Sequence, residues 1–172
     1  MRRAALLLLV GVLGIALSRT VAPVLPAGVP LPDVALLVAL FGCLRLDEPS
    51  DSHSLLVAVS LGAVTDVLNR HPLGLFALAY MLVMILLRSA VHRIQFSGPA
   101  LTILLGLVAS LAVYGGSCLL IALLSRPDSP RFFPGRGALL GALATGACAP
   151  IVFYALDMAQ LRVSRRPTQR HF

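Results

Sequence analysis

Charge is what this sequence has little of. Of its 172 residues only 12% are charged while 58% are hydrophobic, and there is no lysine. A soluble domain carries about 25% charged residues and no more than ~50% apolar ones. With a mean hydropathy of +0.92, the composition excludes a soluble enzyme, a nucleic-acid-binding module and a disordered tail. An integral membrane protein remains.

Cysteine is equally sparse. The three thiols, Cys43, Cys118 and Cys148, lie inside apolar runs, odd in number and without metal-ligand spacing, so they read as inert buried groups. Motifs of catalysis are missing as well. The chain has no glycine-rich phosphate loop, no paired acids at catalytic spacing, and no serine beside a histidine and an orienting acid. Neither an enzyme nor a cofactor site is expected. The net charge of +7 comes entirely from fourteen arginines against seven acids. In a soluble protein that excess would point to a polyanion. Here the arginines flank apolar runs, so anionic lipid headgroups and topology are the better explanation.

Apolar runs are what the sequence does have. Crossing a hydrocarbon core of ~30 Å takes roughly 20 residues of helix, with ~17 tolerated. Six stretches come near this, at about 4–21, 33–46, 54–68, 73–91, 99–124 and 137–161, with a basic tail at 162–172. The first follows Arg2 and Arg3 like a signal peptide, yet no small-residue cleavage site closes it, so an uncleaved helix is expected. The second and third are short. The reading is an all-α membrane protein with six transmembrane helices in one domain.

Six spans place both termini on one side. With the termini in the cytoplasm, the inner arginines are Arg2, Arg3, Arg45, Arg88, Arg93, Arg162, Arg165, Arg166 and Arg170. The outer ones are Arg19, Arg70, Arg126, Arg131 and Arg136. The positive-inside rule therefore favours cytoplasmic termini.

An ionisable residue inside a span is a functional hypothesis by default. Asp66 is the clearest case, roughly 18 Å along the third stretch from Ser54. It is either a proton or cation ligand, or an anchor that accepts hydrogen bonds from the following turn or pairs with Arg70. In that turn Pro72 fixes the backbone and Gly74 permits a close approach. Asp33, just after Pro32, is placed to cap the second stretch. Gly137, Gly141 and Thr145 recur at four-residue spacing in the sixth stretch, with Ala138, Ala142 and Gly146 one step round. Gly106 and Ser110 repeat the pattern in the fifth. Such faces let helices approach closely in lipid, here within the chain's own bundle. Pro150 is expected to kink the sixth helix.

Two segments carry a family resemblance. One is Pro32-Asp33-Val34-Ala35-Leu36-Leu37. The other runs from Gly62-Ala63-Val64-Thr65-Asp66-Val67-Leu68 through Pro72-Leu73-Gly74-Leu75-Phe76-Ala77-Leu78-Ala79-Tyr80. Together they resemble MreD, the bacterial rod shape-determining membrane protein; the Asn69-Arg70-His71 linker departs from the pattern. The resemblance implies a non-catalytic inner-membrane subunit that binds MreC. Through MreC it would connect MreB filaments with the RodA glycosyltransferase and its transpeptidase. It marks Pro32, Asp33, Gly62, Asp66, Pro72, Gly74 and Tyr80 as structural or partner-contact residues. It also implies a bundle similar to the substrate-binding subunits of energy-coupling-factor vitamin transporters. That likeness supplies the alternative function, which expects a polar cavity among Asp66, Asn69, Tyr80, Tyr114, Ser117 and Tyr154.

Overall fold

A computed structural model describes residues 2–23, 31–45, 52–69, 74–91, 99–124 and 136–164. Within them are six helices and no strand: α1 (Arg2–Val21), α2 (Val34–Arg45), α3 (Ser52–Asn69), α4 (Leu75–Val91), α5 (Pro99–Leu124) and α6 (Arg136–Ser164). Two are long and apolar enough to cross a membrane, over Ala100–Leu123 in α5 and Gly137–Gln160 in α6. The other four contain shorter apolar stretches.

The shortest helix is the centre of the molecule. α2 has 12 residues, about 18 Å of axis against the ~30 Å of a hydrocarbon core. It packs against all five other helices. Every side chain from Ala35 to Phe41 is at most 1% exposed. A helix that is apolar all round is stable only when surrounded, and the sequence VALLVALFGCLR is apolar all round. Phe41 meets Phe153 of α6 edge-on, with ring centroids 5.3 Å apart.

Around this axis α3 and α4 form one packed hairpin, and α5 and α6 a second. Both pairs come close at glycines. In the first, Gly62 presses on the α4 backbone, so that an added Cβ would lie 2.6 Å from Ala77 Cα and 2.8 Å from Phe76 O. In the second, Gly106 faces Ala149 and Gly146, and Gly146 faces the Ile103 carbonyl and Leu107. The outer faces are covered with large apolar side chains, among them Leu104, Leu119 and Leu123 of α5 and Leu139, Leu143 and Ile151 of α6. So much exposed apolar surface suits a lipid environment rather than water. Pro150 lies inside α6, which continues through it as one helix.

Candidate functional site: two carboxylates at helix starts

The start of α4 has no side chain to cap it, because the residue before it is Gly74. Gly74 takes φ +99°, and a Cβ added there would meet nothing within 4 Å; the conformation itself favours glycine. Its carbonyl accepts the first helical hydrogen bond, from Leu78 N–H at 2.9 Å. The amides of Gly74, Phe76 and Ala77 have no partner within their own helix. Asp66, fully buried on α3, accepts all three. Oδ2 receives Gly74 N–H at 3.0 Å and Ala77 N–H at 3.3 Å, and Oδ1 receives Phe76 N–H at 2.9 Å. The neighbouring helix thus supplies the capping carboxylate that glycine lacks. Pro72 and Arg70 lie outside the described residues.

Asp33 caps its own helix. Its Oδ1 accepts Leu36 N–H at 3.1 Å, three residues on, the usual reach of an N-cap side chain. Its other contacts cross the bundle. Tyr80, fully buried on α4, donates its hydroxyl to Asp33 Oδ2 at 2.6 Å. The Asp33 N–H donates to Thr145 Oγ1 on α6 at 3.0 Å, and the Thr145 hydroxyl donates to Gly141 O at 2.7 Å. One residue therefore holds α2 to α4 and α6. The sequence singles out Asp33, Tyr80 and Thr145 separately and does not join them. The one available signal is a tyrosine within the apolar run Leu75–Val91.

The small-residue positions divide. Gly141 lies against the Tyr114 hydroxyl, 3.3 Å from where a Cβ would be. Gly137 meets nothing within 4 Å. Gly106 and Gly146 face each other across α5 and α6, and Gly146 belongs to the row one step round from Gly137. Ser110 is fully buried and its Oγ has no hydrogen-bond partner. Arg2 and Arg3 open α1, Arg88 lies in the last turn of α4, and Arg162 lies near the end of α6. Arg93, Arg165 and Arg166 lie outside the described residues.

A half-open cavity of about 220 Å³ lies beside Asp33, where α1 ends and α2 and α4 begin. Of the residues expected to line a solute cavity, Tyr114 lines this one. Tyr80 and Asp66 are buried in the contacts above, Ser117 donates to Tyr114 O at 2.8 Å, and Tyr154 is 66% exposed. Among the described residues no three of His, Cys, Asp and Glu gather as metal ligands.

A family profile for rod shape-determining protein MreD matches residues 2–158. The chain belongs to the MreD family. Membership brings with it a role in rod shape determination and a place among membrane proteins. The MreD family is one of shape-determining structural proteins, and enzymes are not known in it. The Pro32-to-Tyr80 segments that carry the resemblance to MreD lie within the matched residues. They include both capping carboxylates. No curated protein and no solved structure matches the chain.

Proposed function

We propose that this MreD-family chain is a non-catalytic scaffold of the cell-elongation complex in the bacterial inner membrane. It binds MreC, and through MreC it links cytoplasmic MreB filaments to peptidoglycan synthesis by RodA and its transpeptidase. All six helices lie in the bilayer as one multi-pass bundle, with both termini in the cytoplasm and the arginine-rich ends on anionic headgroups. The observation that carries the reading is the use made of Asp33 and Asp66. Both carboxylates are occupied in joining helix starts to neighbouring helices, the role expected of intramembrane acids in a rigid bundle rather than a proton relay.

Co-purification tests it. A tagged copy is extracted from native membranes in mild detergent, and its partners are identified by mass spectrometry. The scaffold reading expects MreC, with RodA or the transpeptidase in the same sample. Recovery of ATPases with a coupling subunit would replace it by the vitamin-transporter alternative.

A further inference from the structure

The cavity beside Asp33 has an unbalanced polar wall. Ser18, Arg19, Asp33, Thr65, Phe76 and Tyr114 are among the residues that line it. The Ser18 hydroxyl donates to Gly14 O and the Thr65 hydroxyl to Leu61 O, each at 2.8 Å. Those hydroxyls spend their donors on the helix backbone, with Thr65 also hydrogen-bonded to Tyr80, so what each can still offer a ligand is an oxygen lone pair. The Asp33 carboxylate accepts from the Leu36 amide, the Tyr80 hydroxyl and the Ala35 amide, three of the about four acceptor sites that a carboxylate offers. Asp33 is half-buried, so part of it stays accessible. The last turn of α1 adds the partial negative charge of a helix carboxyl end. Arg19, exposed in that same turn, is the cation at the rim.

Acceptors, a carboxylate and two aromatic rings call for a cation that can donate several hydrogen bonds; the rim arginine calls for an anion attached to it. We propose that the cavity binds a zwitterionic head carrying a primary ammonium. The ammonium donates to the Asp33, Ser18 and Thr65 oxygens beside the Phe76 and Tyr114 rings. The anionic group of the same head meets Arg19. Two sources share this chemistry: the ethanolamine head of a membrane phospholipid, and a small soluble zwitterion. The proposal is independent of the scaffold reading.

Number of donors, rather than charge, separates an ammonium from a trimethylammonium. The test measures the melting temperature of the full chain in mild detergent with three probes. These are phosphatidylethanolamine, phosphatidylcholine with the same acyl chains, and soluble O-phosphoethanolamine. Phosphatidylethanolamine is expected to raise the melting temperature by roughly 5 °C or more at about a hundredfold excess over its Kd. Phosphatidylcholine should give less than half that rise. A matching rise with O-phosphoethanolamine assigns a soluble ligand, and a rise with the phospholipid alone assigns a lipid head. Arg19→Gln and Tyr114→Leu, each compared with its own lipid-free form, should shrink the response. Equal rises with the two phospholipids, no rise with any probe, or a full response in both variants would overturn the proposal.

Discussion

Asp33 and Asp66 are two carboxylates that do the same local chemistry at different range. Each satisfies amides at the start of a helix, Asp33 at α2 and Asp66 at α4. Asp66 acts within one hairpin, on amides 8 to 11 residues away. Asp33 also reaches residues 47 and 112 positions away in the chain. The first carboxylate shapes a turn, and the second assembles a bundle around the central helix. Polar groups inside the bundle are thereby used for architecture at both scales.

Removing the local clamp should have the largest effect. Asp66→Leu leaves three amides without an acceptor, at about 1–3 kcal/mol for each buried one. A loss of folded yield in detergent size-exclusion is the expected outcome. Next comes Gly62→Leu, which forces α3 away from the Ala77 backbone and should lower stability by about 1–3 kcal/mol or more. A fall in melting temperature checks it. For the long-range clamp, Tyr80→Phe removes the hydroxyl that Asp33 accepts, a hydrogen bond to a charged group worth about 1.5–3 kcal/mol. Thr145→Val removes the acceptor for the Asp33 N–H and should cost about 1 kcal/mol. If Asp33 couples the two, the double variant will depart from additivity by about 0.5 kcal/mol or more, whereas Thr145→Val combined with Gly62→Ala will be closer to additive. The smallest effect is expected for Gly137→Ala, where a Cβ meets open space. Its melting temperature should stay within the range of a ~0.5 kcal/mol change.

The same contrast of range explains what could be read from the sequence. Six apolar stretches are legible because apolar length is a local property. Asp66 is legible as a turn anchor because its turn follows within a dozen residues. The Asp33–Tyr80–Thr145 junction is not legible. No spacing rule connects residues 47 and 112 positions apart, and each has an adequate local explanation as cap, apolar-run tyrosine or small-face residue. Gly137 and Gly146 show a further limit. Two rows of small residues repeat every four positions on α6, and only the docking of the neighbouring helices decides which members are in contact, Gly141 and Gly146 against α5 while Gly137 meets nothing. That α2 is apolar all round follows from its place among the other five helices.

The most direct test of the central claim, that these carboxylates serve as acceptors rather than as chemistry, is Asp66→Asn in cells lacking the native copy. The amide removes the charge and keeps one acceptor oxygen, which can serve Gly74 and Ala77, while its NH2 faces the Phe76 amide at a cost of about 1–3 kcal/mol. Cell shape is scored by microscopy alongside the amount of folded protein in the membrane. The account predicts rod-shaped cells wherever folded protein accumulates, at a level lowered by the lost acceptor but above that of Asp66→Leu. Round cells containing a normal amount of folded Asp66→Asn protein would contradict it, because the charge itself would then be required.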